Sequence, residues 1–159
     1  MVKKMLNRKR LSLTFSGLCL FSAISVAITF IVWNRPEKLQ YGENDVIWSQ
    51  VKGNVEKCHL GQSSVYVKGW IYPTTKYEGM YKGNTYVVLN DGGTLYKIKT
   101  VRENRPDVTS YFKAEKKKFD LTGYSSASRF SIFGLSPSNE IYVITENDGT
   151  IRGMKHVCS

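Results

Sequence analysis

An uncharged stretch of 23 residues, Leu11–Trp33, constrains this chain more than any other feature. As an α-helix it would be about 34 Å long, which exceeds a membrane hydrocarbon core of about 30 Å. Its polar residues are Ser and Thr, whose hydroxyl groups can bond back to the helix backbone. Trp33 stands where an interfacial aromatic side chain belongs. The segment predicts a single transmembrane helix that acts as a signal anchor.

The net charge of +10, from 23 Lys+Arg and 13 Asp+Glu, divides around this stretch. Five basic residues and no acid lie in positions 1–10, and the other +5 is spread from Asn34 onward. The positive-inside rule then predicts a cytoplasmic N-terminus in the inner (cytoplasmic) membrane and a periplasmic or extracellular C-terminal domain. The orientation of the chain in the membrane and contact with membrane lipid explain the basic tail, so we expect no nucleic-acid partner.

Two other interpretations of the apolar stretch stay open. A signal peptide could be cleaved after Ser25-Val26-Ala27, although the apolar run continues well past that point. A lipoprotein site at Cys19 would need a small residue before it, where Leu18 stands. Retention as an anchor is the prediction that we carry forward.

Beyond the helix, β-type segments alternate with turn signals. The organisation predicted is a basic tail (1–10), the helix (11–33), a juxtamembrane linker (34–54) and a β-domain (55–159). Two hairpins are predicted around Asp91-Gly92-Gly93 and Asn147-Asp148-Gly149, and a further strand over Leu121–Phe133. The fold class is therefore mainly β, a transmembrane helix followed by an antiparallel sandwich of immunoglobulin-like or jelly-roll-like type. The core strand Ser63–Tyr72 should alternate around Val65, Val67 and Trp70.

One segment, residues 105–112, departs from the β pattern. Pro106 fixes φ, and Asp107 can cap a helix start. Val108, Tyr111 and Phe112 fall on one face at helical spacing, which predicts a single helical turn laid against the sandwich.

Outside the apolar stretch the only cysteines are Cys58 and Cys158. In an oxidising compartment they predict a disulfide between the first and last strands, which neighbour each other in many sandwiches. Two free buried thiols and an intermolecular bridge are the alternatives. His59 and His156 flank the cysteines, but adjacent residues on a strand point to opposite faces, so we expect no metal site.

No catalytic motif is present, and we expect neither enzymatic activity nor a cofactor. Acidic residues such as Asp107 are more typical of solvated loops than of a catalytic pair. Ten tyrosines and three tryptophans would suit stacking on a sugar, although tyrosines in strands are more often half-buried β-formers. Trp70 and Tyr111 are the aromatic candidates for a binding role. Lys116, Lys117 and Lys118 could contact anionic lipid or an acidic envelope polymer, or simply form a solvated turn.

The region from Val65 to about Asp148 resembles an extracytoplasmic β-domain found with bacterial envelope-polysaccharide glycosyltransferases and related surface-glycan proteins. The matching elements are, in order, Lys68-Gly69-Trp70-Ile71, Tyr86-Val87-Val88-Leu89, Asp91-Gly92-Gly93 with Tyr96, Arg105-Pro106-Asp107-Val108, Thr122-Gly123-Tyr124-Ser125 and Ile141-Tyr142-Val143-Ile144. The resemblance implies a sandwich with an accessory or binding role near envelope glycan. Because the usual context is a large catalytic membrane protein, the chemistry of such partners does not carry over to a chain with one helix.

Within the Arg105-Pro106-Asp107-Val108 motif, Arg105 and Asp107 are predicted to form a pair that orders the helical turn, with direct ligand contact as the alternative. The main functional hypothesis is a non-enzymatic accessory module that binds an envelope glycan or a membrane protein working on one. The alternative is a small subunit or inhibitory modulator of a membrane protein complex that acts through its transmembrane helix. An envelope hydrolase or transferase using Asp107 is the remaining hypothesis.

Overall fold

The computed structural model describes residues 2–74, 83–111, 121–147 and 149–158, with side chains from Leu11 onward. The chain divides into two compact units, Met1–Trp33 and Asn34–Ser159. The first unit is helical and the second is built from strands.

Helix α1 spans Val2–Asn34, and its 24 residues Leu11–Asn34 are long and apolar enough to cross a membrane. Ser25 Oγ donates a hydrogen bond to the Phe21 carbonyl oxygen at 2.9 Å, and Thr29 Oγ1 donates to the Ser25 carbonyl oxygen at 2.9 Å. These bonds confirm the back-bonding predicted from the sequence. They satisfy both hydroxyl groups without water, as a hydrocarbon environment requires.

The second unit is mainly β and consists of two antiparallel sheets, which confirms the predicted fold class. A five-stranded sheet has the order β1-β5-β4-β8-β9, and a four-stranded sheet has the order β2-β3-β7-β6. The strands are β1 (Glu37–Lys38), β2 (Val51–Leu60), β3 (Val65–Pro73), β4 (Asn84–Asp91), β5 (Thr94–Ile98), β6 (Thr100–Glu103), β7 (Gly123–Ser128), β8 (Glu140–Asn147) and β9 (Thr150–Val157). One short helix, α2 (Pro106–Tyr111), and two 3-10 turns (Glu43–Asp45 and Phe130–Phe133) complete the described elements.

Both predicted hairpins are present. Asp91 pairs with Thr94 across the β4–β5 turn, where Gly92 and Gly93 have φ values of 57° and 85°. Two successive residues with positive φ give a turn whose twist matches that of the strands it joins. In the β8–β9 hairpin Gly149 has φ 72°.

Strand β4 has a buried apolar side chain on both of its faces. Val87 and Leu89 face the core between the two sheets, together with Val67, Ile141 and Val143. Alternate residues contribute to a second cluster on the opposite face of the five-stranded sheet, formed by Val46, Tyr86, Val88, Leu95, Tyr142 and Ile144.

The second cluster is covered by the chain between α1 and β2, from which Leu39, Tyr41 and Trp48 pack against it. Part of the segment predicted as a juxtamembrane linker therefore contributes to the fold. This cover explains why β4 reads as a continuous apolar run rather than an alternating one.

Cys58 and Cys158 form a disulfide with a Cα–Cα distance of 5.3 Å, as predicted from the sequence. The bridge joins the predicted first strand, which is part of β2, to the end of the last strand, β9, but these strands belong to different sheets and do not pair with each other. Cys58 lies on β2, an edge strand of the four-stranded sheet, whereas Cys158 follows β9, an edge strand of the five-stranded sheet. The bridge therefore ties the two sheets together.

The predicted strand Leu121–Phe133 is also wrong in its extent. Strand β7 ends at Ser128, and the 3-10 turn Phe130–Phe133 follows, with Gly134 at φ 72° after it. Ser128 Oγ donates to the Asn34 carbonyl oxygen at 3.1 Å, and the Arg129 N–H donates to Asn34 Oδ1 at 2.7 Å. These bonds to a residue distant in sequence, together with burial of Phe130, turn the chain out of the sheet.

Candidate binding site

The helical turn predicted after Pro106 is present as α2, with Pro106 as its first residue. Asp107 therefore lies inside the first turn rather than in front of it, as a cap would. Val108 and Thr109 are buried, but the Tyr111 side chain is 80% exposed, so its predicted packing against the sandwich is wrong. Because each helical residue adds about 100° of rotation, Tyr111 lies about 110° away from a buried face centred between Val108 and Thr109.

Arg105 holds the start of α2 through a two-bond ion pair. Its Nε donates to Asp107 Oδ1 at 2.9 Å, and its Nη2 donates to Asp107 Oδ2 at 2.7 Å. The pair predicted from the sequence is thus confirmed. The same Nη2 also donates to Glu56 Oε1 at 2.7 Å.

Glu56 was not identified from the sequence because it is 49 residues away from Arg105 along the chain. It lies at a β-bulge, where the register of β2 against β3 shifts between Val55 and Lys57. A bulge re-aims the side chain of the extra residue. Arg105 therefore connects α2 to an edge strand of the four-stranded sheet.

Gly123 lets the Arg105 side chain cross the sheet. A Cβ atom at this position would lie 2.5 Å from Arg105 Cγ and 2.9 Å from the Glu103 carbonyl oxygen. Trp70 is paired with Gly123 on the neighbouring strand, so the indole projects from the same face as the Arg105 stem.

The predicted placement of Trp70 in the same alternation as Val65 and Val67 is wrong, because β3 alternates without interruption and Trp70 falls on its other face. Val65, Val67 and Ile71 face the core, with Gly69 in the same register, whereas Trp70 is half-buried on the outer face. The Trp70 ring stacks on the ring of Tyr72, with centroids 5.9 Å apart and an interplanar angle of 18°.

A surface depression of about 340 Å³ lies beside Trp70 and is lined by Trp70, Arg105, Asp107, Val108 and Tyr111. Trp70, Arg105, Asp107 and Tyr111, all candidates from the sequence, are thus brought together at one place. The remaining candidate binding residues, Lys116, Lys117 and Lys118, lie outside the described residues.

Arg105 and Asp107, the charged side chains among the described residues that line the depression, are held in ion pairs. The hydrogen bonds from Arg105 lower the pKa of Asp107 to about 2, so the carboxylate is ionised at neutral pH. The same bonds, with those to Glu56, raise the pKa of Arg105 above its ordinary value. Nearby on the sheet, Lys68 Nζ lies 2.7 Å from Glu103 Oε2, and this contact lowers the pKa of the Glu103 carboxyl.

A second polar cluster fastens the covering segment to the five-stranded sheet. The Tyr142 hydroxyl lies 3.2 Å from Glu43 Oε2 and 3.1 Å from Glu140 Oε2, and burial raises the pKa of this tyrosine to about 12. Glu43 also pairs with Lys155, whose Nζ lies 4.8 Å from the centre of the Trp48 ring. These groups contact one another, so we assign the cluster a structural role.

Among residues 2–74, 83–111, 121–147 and 149–158, no group of three or more His, Cys, Asp or Glu residues could hold a metal ion. Comparison with protein-family models, with curated proteins and with solved structures found no match. The resemblance to domains associated with polysaccharide glycosyltransferases therefore remains a hypothesis.

Proposed function

We propose that this chain is a single-pass protein of a bacterial inner membrane whose sandwich lies outside the cytoplasm and binds an envelope partner without catalysis. The depression lined by Trp70, Arg105, Asp107 and Tyr111 carries the proposal, because it combines exposed aromatic surface with ordered polar groups. The resemblance to domains that accompany polysaccharide glycosyltransferases assigns the partner to surface-glycan assembly.

The proposed location is supported by the helix and the disulfide. Helix α1 has the length and composition of a membrane span. The Cys58–Cys158 bridge is typical of an oxidising compartment, which the cytoplasm is not. The basic residues of positions 1–10, together with the positive-inside rule, favour a cytoplasmic N-terminus.

A non-enzymatic role is favoured by the state of the polar groups in the depression. A general base works best with a pKa near the operating pH, whereas the pKa of Asp107 is about 2. Both carboxylate oxygens of Asp107 already accept a hydrogen bond from Arg105. These groups are better suited to holding a ligand than to moving a proton.

Photo-crosslinking in cells tests whether this face binds a partner. A photoreactive amino acid at Val101, which is 48% exposed on the outer face of the four-stranded sheet, should yield an adduct with an envelope component. The matched control is Ile132, which is 51% exposed on the 3-10 turn and should yield none. Equal yields at both positions, or no adduct at Val101, would contradict the proposal.

The alternative hypothesis is a modulator that acts through its membrane helix, and a helix exchange separates it from the proposed function. Residues 11–33 would be replaced by an unrelated apolar helix of equal length, and the Val101 crosslink measured again. An unchanged adduct favours an autonomous outer domain. Loss of the adduct at equal protein level favours the helix as the interaction element.

A further inference from the structure

The depression offers hydrogen-bond donors and acceptors side by side. Among the described residues, Arg105 uses Nε and Nη2 in its bonds to Asp107 and Glu56, while its Nη1 group has no partner there. The Asp107 side chain is 62% exposed, so its oxygens retain access to further donors. A guanidinium has five N–H donors and a carboxylate about four acceptor sites, so both groups keep unused capacity.

The charges that the described residues bring to the depression argue against an ionic ligand. The positive charge of Arg105 is already shared between two carboxylates, those of Asp107 and Glu56. An anionic ligand would have to compete with these carboxylates, and a cationic ligand would have to compete with the guanidinium for Asp107, both of whose oxygens Arg105 already holds. A neutral ligand that carries both donors and acceptors, as hydroxyl groups do, fits this arrangement without breaking the ion pairs.

The aromatic residues add an apolar contact beside the polar one. Trp70 lines the depression, and Tyr111, which is 80% exposed, lines it from α2. Aromatic rings present a negative face that attracts the weakly positive hydrogens of C–H groups. A pyranose ring has a C–H face and a rim of hydroxyl groups, so it can use both sets of side chains at once.

We propose that the depression binds a neutral sugar unit of an envelope polysaccharide, with its ring against Trp70 and Tyr111 and its hydroxyl groups on Arg105 and Asp107. This inference rests on the proposed function, because it names the ligand class of the same surface. A volume of about 340 Å³ lies at the lower end of the range for small-molecule sites, so the site accommodates a short glycan segment.

The test uses the full chain in a zwitterionic detergent, because detergents with sugar headgroups would compete for the site. The probes are immobilised oligosaccharides of neutral hexoses and N-acetylhexosamines, beside matched glycans that carry carboxylate or sulfate groups. We expect binding to one or more neutral probes and weaker binding to their charged counterparts.

Substitutions then locate the bound probe. Trp70→Ala and Tyr111→Ala should each raise the dissociation constant by roughly tenfold, the loss of affinity expected for one aromatic contact. Tyr66→Ala is the matched control, because Tyr66 is 40% exposed on the outer face of the same sheet and away from the depression. Trp70→Phe keeps an aromatic ring at this position and should retain part of the affinity. Partial binding by this variant would indicate that the Trp70→Ala loss comes from the missing ring and not from unfolding.

The outcomes separate this inference from the proposed function. Binding confined to charged probes, or binding that the Trp70 and Tyr111 substitutions leave unchanged, would overturn the inference. If no immobilised probe binds but Val101 crosslinks to a protein, the sugar site is overturned and the proposed function stands. If no probe binds and Val101 yields no adduct, both are overturned.

Discussion

Arg105 makes the largest set of specific contacts at the candidate site, because one side chain joins α2 to β2. Replacing it with lysine keeps the positive charge but loses the planar fork that binds Asp107 through two bonds. We expect Arg105→Lys to lower the free energy of unfolding by about 1 kcal/mol, measured by urea denaturation of the full chain in micelles. Arg129→Lys is the control at an exposed position, and an equal loss there would contradict the assigned role.

Gly123 is the residue that allows Arg105 to cross β7. The methyl group of Gly123→Ala would meet Arg105 Cγ at 2.5 Å, so either the side chain or the strand must move. We expect a loss of about 1–3 kcal/mol in the free energy of unfolding. Gly61→Ala is a matched substitution whose Cβ atom would lie 3.7 Å from the Ser64 carbonyl oxygen, an ordinary contact distance, and it should be close to neutral.

Asp107 predicts a defined pH dependence of stability. Its pKa falls from 3.8 to about 2 in the folded protein. The carboxylate therefore contributes to the free energy of unfolding above about pH 4, and this contribution is lost as the pH falls through about 2. The difference in unfolding free energy between the native chain and Asp107→Asn should therefore shrink from about pH 5 to pH 2. The same comparison is then made in chains that carry Arg105→Gln, where the effect of Asp107→Asn on the free energy of unfolding should no longer depend on pH. If it depends on pH as before, Arg105 is not the cause.

At the scale of elements, the disulfide stabilises the pairing of two sheets rather than of two strands. It closes a loop of 100 residues, for which chain entropy predicts a contribution of about 4–5 kcal/mol. We expect the double substitution Cys58→Ser and Cys158→Ser to lower the free energy of unfolding by about 2–5 kcal/mol, measured by urea denaturation.

The control for the disulfide is Cys19, the free cysteine of the chain. Cys19→Ser should leave the stability of the sandwich unchanged. A thiol assay on denatured, non-reduced protein should find one reactive thiol before reduction and three afterwards. Three thiols before reduction would contradict both the bridge and the oxidising compartment.

At the scale of the whole molecule, the charge distribution predicts the orientation in the membrane. Replacing Lys3, Lys4, Arg8, Lys9 and Arg10 with glutamine removes the charge excess that should hold the N-terminus inside. A C-terminal reporter that is active only outside the cytoplasm should lose most of its signal in this variant. Neutralising five basic residues in the sandwich is the control, and it should leave the reporter signal intact.

The elements that could be predicted from the sequence depend on residues close together in the chain. The apolar helix, the D-G hairpins, the turn after Pro106 and the Arg105–Asp107 pair all follow from local composition and spacing. The Cys58–Cys158 bridge was predictable for a different reason, since outside the apolar stretch each cysteine has only one possible partner.

What only the tertiary structure decided is which faces are covered and which distant residues meet. The end of β7 depends on Asn34, the burial of Tyr86 and Val88 depends on the segment before β2, and the second carboxylate on Arg105 comes from a bulge 49 residues away. The outward face of Trp70 follows from the register of β3 between its two neighbours. Each depends on free energy gained by contacts between distant segments, which local propensity and periodicity do not encode.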